Sequence, residues 1–174
     1  QTIQNNTTGR LPTSTSGCKS FSADTEVLMA DGTTKPISDI TVGDQVWALD
    51  PETGEAGPRT VTAIWPHQDL LIEFTVDGGT ITTTEDHHFW NHTDNQWQQT
   101  QHIDPGDLLR TPNGFVTAGT LNWTTTHRAP AFDLTIEDTH TYFVSADNTQ
   151  VLVHNRGEFL SSAPKIAART GLTQ

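Results

Sequence analysis

Four short stretches carry the residue types that covalent peptide chemistry needs. The first is Gly17-Cys18, where the chain's one cysteine directly follows a glycine. The second is TTTEDHHFW, residues 82–90, which holds Thr84 and His87. The third is AFDLTIEDTHTYFV, residues 131–144, with Asp133 and His140. The fourth is VLVHN, residues 151–155, an apolar run that stops on His154-Asn155 and is followed by Arg156. A thiolate is a strong nucleophile, and an imidazole can give or take a proton near neutral pH. Each stretch alone also has an ordinary explanation. A lone cysteine is commonly a small buried hydrophobe. A threonine three residues before a histidine arises by chance, and an asparagine at a strand end is a turn former.

Elements must bring such distant residues together. The stretch between the four is dense in Thr, Val and Ile and punctuated by turn residues. The pattern predicts strands at Glu26–Met29, Gln45–Leu49, Arg59–Trp65, Leu70–Val76, Thr80–Thr83, Phe115–Leu121, Phe132–Ile136, Tyr142–Ser145 and Val151–Val153. Alternation is clear in Val61-Thr62-Ala63-Ile64-Trp65 and in Phe132-Asp133-Leu134-Thr135-Ile136, as half-buried strands require. Asp31-Gly32, residues 51–58, Asp77-Gly78-Gly79, Pro112-Asn113-Gly114 and Asp147-Asn148 supply the turns. No long segment has a helical period. An all-β domain spanning residues 18–155 follows. Residues 1–17 are Thr, Ser, Asn and Gly rich and are expected to be a flexible lead-in. Residues 156–174 form a second flank, with a short helix expected near Lys165–Arg169.

Composition narrows the function classes. A chain of 174 residues suffices for one domain with a core. Twenty-one acids against nine bases give a net charge of −12, which opposes binding to nucleic acid or an anionic membrane. No apolar run reaches membrane-spanning length. One cysteine rules out an internal disulfide framework. The chain opens on Gln1, and is expected to be a piece of a longer protein whose localisation its ends do not assign.

In this order the four stretches resemble the Hint superfamily of inteins, hedgehog autoprocessing domains and bacterial intein-like domains, including pretoxin Hint domains. The matching text is CKSFSADTEVLMADGTTKPISDITVGDQVWALD at the front, Thr84-x-x-His87 in the middle and FDLTIEDTHTYFVSADNTQVLVHN at the end. The resemblance covers residues 18–155 and implies a compact all-β horseshoe of pseudo-two-fold design, with both ends on central strands. The span is too short for an inserted endonuclease domain.

The family's chemistry is autocatalytic self-processing in cis. Cys18 would attack the Gly17 carbonyl and turn that peptide bond into a thioester. The resemblance gives His87 the task of protonating the leaving amide nitrogen, and Thr84 that of orienting the peptide. Asn155 would close its carboxamide onto its own carbonyl and cut the Asn155–Arg156 bond. The resemblance implies that His154 and His140 assist this second cut. It ties Asp133 to the thioester and to coordinating the two cuts. No external cofactor or metal is required. The partners are the chain's own flanks, with water, an outside thiol or an amine as acyl acceptor. The domain is expected to be monomeric.

Two positions depart from the pattern. Conventional splicing needs Cys, Ser or Thr after the asparagine, and here Arg156 follows. Cleavage at one or both ends is therefore expected over ligation, freeing a flanking effector, with weak splicing left open. His88 stands where many relatives have proline, and is a candidate to share the role of His87.

Two other classes compete. His87, His88, His92 and His102 crowd one region and suggest a metal-binding module. Trp47, Trp65, Trp90, Trp97 and Trp123 suggest a β-sandwich interaction module, though such residues are more often packing.

Overall fold

The apolar runs and their turns become strands. The computed structural model describes residues 19–154. They form β1 (Phe21–Ser22), β2 (Glu26–Leu28), β3 (Thr34–Pro36), β4 (Gln45–Leu49), β5 (Ala56–Val76), β6 (Gly79–Thr83), β7 (His88–Asn91), β8 (Gln96–Gln99), β9 (Leu108–Arg110), β10 (Phe115–Ile136), β11 (Thr141–Ala146) and β12 (Thr149–His154). Two single-turn 3-10 segments, Ile37–Asp39 and Thr100–His102, are the only helical elements among the described residues. The all-β expectation holds. The flank expectations, residues 1–17 and the short helix near Lys165–Arg169, lie outside the described residues.

The strands make one 12-stranded sheet in the order β3-β2-β11-β12-β7-β9-β10-β1-β6-β5-β4, with β8 on β7 and a further pairing of β10 with β5. That last pairing folds the sheet back on itself. β5 pairs with β10 along Val61–Val76, and over Ile72–Val76 it pairs with β6 as well. The two-residue β1 sits between β6 and β10, with Phe21 opposite both Thr83 and Phe132. The β5–β6 hairpin turns on Asp77 and Gly78, whose φ values of 49° and 80° are what a tight type I′ turn demands.

Two pairs of expected strands are single long strands. Arg59–Trp65 and Leu70–Val76 belong to β5, and Phe115–Leu121 and Phe132–Ile136 belong to β10. The joining stretches are polar because they lie on an arm of which much is open to solvent; Leu70 and Trp123 are exposed there. Without a buried face, strand residues need not alternate. Five short strands carry too few residues to show a period: β1, β3, β7, β8 and β9.

The core is one large cluster that includes Phe21, Val27, Phe74, Phe89, Leu134, Tyr142, Val144 and Val153. β11 is buried at all six positions because it lies between β2 and β12. Phe21 is fully buried and meets Phe89 and Tyr142 edge-on, with centroids 6.3 Å apart in both pairs. Burying such a side chain stabilises by about 1.5–3 kcal/mol. One phenylalanine thus anchors the strand through which the chain enters the domain. A smaller cluster holds Leu49, Trp90, Phe143 and Leu152, with Trp47 and Trp97 packed against it.

Candidate functional site

The turn after β6, Thr84 to His87, holds the entering chain. Thr84 N–H donates to the Ser20 carbonyl (2.9 Å), and Ser20 N–H donates to Thr84 Oγ1 (3.1 Å). Thr83 Oγ1 donates to the same carbonyl at 3.3 Å. Ser20, Thr83 and Thr84 are all buried. The partner of the Thr84 hydroxyl among the described residues is thus the backbone two residues past Cys18. Gly17, Cys18, Asn155 and Arg156 lie outside the described residues.

His87 is fully buried, and its ring lies 4.1 Å from that of Phe21, tilted by 35°. Neither ring nitrogen has a hydrogen-bond partner among the described residues. A buried polar atom left unpaired costs about 1–3 kcal/mol, so two on one imidazole call for an explanation. Its Nε2 lies 3.7 Å from Asp133 Oδ1, too far for a hydrogen bond but well within electrostatic range.

Asp133 is also fully buried. Its Oδ1 accepts from Tyr142 Oη at 2.6 Å and from Leu134 N–H at 2.8 Å. Its Oδ2 has no partner among the described residues. Burial, and then the nearby Asp133 carboxylate, push the Tyr142 phenol well above its ordinary range, so Tyr142 stays a donor. Sequence reasoning passed over Tyr142. The available signal was that the chain's one tyrosine sits among apolar residues on a strand; a buried phenol there needs an acceptor.

The exit end is built by the β11–β12 hairpin. Thr141 pairs with His154, the last residue of β12. His140, just before Thr141, has a left-handed backbone (φ 59°), which histidine tolerates better than most side chains. The His140 and His154 rings are stacked with centroids 6.4 Å apart and planes 23° apart. His140 Nδ1 is buried without a partner among the described residues. Trp97 meets the His154 ring edge-on at 4.8 Å.

Entry and exit meet at one place. Val153 pairs with Phe89, two residues after His87, and Phe89 packs on Phe21. His88 feels both ends. Burial chiefly, and then the charges of Lys19, His87, His154 and His102, push its imidazole down to about 3. Lys19 adjoins Cys18, and His154 adjoins Asn155. A histidine so depressed is neutral at physiological pH. It can pass on a proton only as a weak N–H donor, which separates its chemistry from that of a cationic acid.

The competing modules fare differently. Among the described residues no three His, Cys, Asp or Glu side chains converge to hold a metal ion. His92 instead packs its ring on Phe115 at 4.2 Å. Trp90 is buried and meets Trp97 edge-on at 5.3 Å. Trp65 Nε1 donates to Thr135 Oγ1 at 2.7 Å. Only Trp123 of the five is largely exposed.

Known proteins share this architecture. Residues 26–156 match the model of the pretoxin HINT domain family. The solution structure of a bacterial intein-like domain from Clostridium thermocellum superposes with a TM-score of 0.70 at 31% identity, covering 78% of this chain and 98% of that one. The crystal structure of a DnaB intein from Synechocystis sp. PCC 6803 gives a TM-score of 0.67 at 18% identity, covering 80% of this chain and 99% of the intein. The TvoVMA intein gives 0.66 at 15% identity, with 80% and 99% covered. The last two likenesses establish the fold alone. No curated protein sequence matches significantly. The all-β sheet, its doubled-back strands and the match over residues 26–156 make this chain a member of the pretoxin Hint family, with an intein-like fold.

Proposed function

We propose that the chain is an autocatalytic self-processing domain that cuts itself at Gly17–Cys18 and at Asn155–Arg156. The observation that carries this reading is the convergence at one turn of the two described ends. Thr84 and His87 grip Ser20 and Phe21, while the next residues pair with β12 and feel His154. In sequence Cys18 is two residues before Ser20, and Asn155 directly follows His154.

The first step is an isomerisation. Cys18 Sγ gives up its proton and bonds to the Gly17 carbonyl carbon. The carbon–nitrogen bond to Cys18 breaks, and the freed nitrogen takes a proton. His87, buried with both ring nitrogens unpartnered among the described residues, supplies it, with the Asp133 carboxylate 3.7 Å from its Nε2. Thr84 keeps the segment in register through Ser20.

In the second step Asn155 Nδ2 bonds to the Asn155 carbonyl carbon. The bond to the Arg156 nitrogen breaks, and the new amine carries away a proton. A succinimide ends the upstream piece. His154 directly precedes Asn155 in sequence, its ring stacks with that of His140, and the two serve to polarise the carbonyl and move the proton. Arg156 offers no hydroxyl or thiol to take over the acyl group, so the thioester passes to water, an outside thiol or an amine. The outcome is release of flanking polypeptide in a single turnover, and the flank freed is the effector of a longer toxin-type protein.

Thiol trapping tests the first cut. Incubating the full chain with dithiothreitol should release 1–17 as a thiol adduct, and Cys18→Ala should abolish release. Release that survives Cys18→Ala would contradict the thioester.

A further inference from the structure

We propose that His67 is a positioning residue for the N-terminal cut, holding the chain behind Cys18 through the side chain of Ser20; this rests on the self-processing reading above. Ser20 is fully buried, and its backbone groups are taken by Thr84 and Thr83. Its hydroxyl turns elsewhere: Ser20 Oγ lies 2.9 Å from His67 Nε2. Ser20 is thus gripped twice, by the turn that carries His87 and by β5 outside the stretch that pairs with β6, where β10 is its partner. There His67 pairs with Ala131, and Ala131 pairs on its other side with Ser22.

His67 is itself fixed. Its Nδ1 lies 3.3 Å from the Trp65 carbonyl, and its Nε2 lies 3.3 Å from Asp69 Oδ2. The other oxygen of Asp69 accepts from Leu70 N–H at 2.8 Å. The ring therefore reaches Ser20 already oriented by its own strand, so little freedom is lost in making the contact. Serine, histidine and aspartate side by side invite a nucleophilic reading, but the geometry opposes it. A proton relay needs the carboxylate on the nitrogen away from the hydroxyl, and here Asp69 and Ser20 share Nε2. The hydroxyl is also buried. What the cluster can do is fix Ser20, and with it the two-residue tether to the attacking sulfur.

Position matters steeply in such a step, because attack needs the reacting atoms aligned at near-contact distance. Among the described residues the hydrogen bonds of His67 go to Ser20, Trp65 and Asp69, and none to β11 or β12. Loss of the grip should slow the first cut and spare the second.

The test uses the full chain with His67→Ala, His67→Asn, His67→Gln and Ser20→Ala. The thiol-induced loss of 1–17 and the loss of 156–174 are timed separately by mass. His67→Ala, His67→Asn and Ser20→Ala should slow the first loss about five- to tenfold, the scale of one hydrogen bond. His67→Gln should recover most of the rate, because its amide reaches where Nε2 stood, whereas the shorter asparagine stops at Nδ1. The second loss should keep its rate in all four. Equal slowing of both cuts, with glutamine no better than asparagine, would overturn the proposal in favour of a general structural role. Normal thiol cleavage in every variant would overturn it too. A wild-type chain that loses neither flank would instead bring down the self-processing reading, and this proposal with it. The asparagine–glutamine pair and Ser20→Ala keep the comparison decisive should His67→Ala fail to fold.

Discussion

His87 Nε2 and Asp133 Oδ1 face each other across 3.7 Å in the interior, and the same Asp133 oxygen is held by Tyr142 at 2.6 Å. The histidine proposed to hand over a proton is thus set beside a carboxylate whose position is fixed by a phenol on β11. Because β11 also starts at Thr141, next to His140, one strand touches residues proposed for both cuts.

Removing the phenol should therefore reach beyond stability. Tyr142→Phe leaves Asp133 Oδ1 with only the Leu134 N–H. A loss of about 1–3 kcal/mol in urea unfolding is expected. The thiol-induced cut should slow as well, because Asp133 becomes free to turn away from His87. A variant destabilised as described that still cleaves at the wild-type rate would disconnect Tyr142 from the chemistry.

The grip of Thr84 on Ser20 can be dissected with side chains of similar shape. Thr84→Val keeps the volume and removes the acceptor of the Ser20 N–H. That amide is buried, so the N-terminal cut should slow about tenfold, equivalent to roughly 1.4 kcal/mol. Thr84→Ser restores the oxygen and should restore most of the rate. Equal rates for valine and serine, timed by mass, would count against this role.

Acid should unfold the domain partly through His88. Its imidazole is ordinary in the unfolded chain, near 6.5, and about 3 in the folded one, mainly through burial. Between those values the unfolded chain binds more protons, so stability is full above about pH 6.5 and falls as pH drops toward 3. His88→Gln should flatten that part of the stability–pH curve in denaturant titrations. An unchanged slope would mean that the folded-state histidine is not depressed.

Chelation separates self-processing from the metal module. With no converging ligand set among the described residues, the thermal midpoint should be the same with and without EDTA. A fall of several degrees would revive the metal reading.

Much of this was legible in the chain. β4, β6, β11 and β12 were readable to within one or two residues, because each has a buried face and clear turn residues beside it. Thr84, His87, Asp133, His140 and His154 stood out by their order, and the structure sets Asp133 3.7 Å from His87 and stacks His140 on His154. Tyr142 and the Ser20–His67 contact were not. The contact joins residues 47 apart through a side chain on an arm with no apolar rhythm, and no local pattern marks it. The merging of the long strands escaped notice for the same reason. The expected strands stop at Trp65 and resume at Leu70, whereas pairing with β10 carries β5 through the residues between.

The most direct measurement is an intact-mass time course of the whole chain, with Cys18→Ala and Asn155→Ala alongside. Loss of 156–174 should leave a product one water lighter than simple hydrolysis would give, and Asn155→Ala should prevent it. Thiol should drive the loss of 1–17 only when Cys18 is present. A ligated peptide of 1–17 with 156–174 would show that Arg156 does not block splicing. A chain that keeps its full mass under thiol and across pH would contradict self-processing outright.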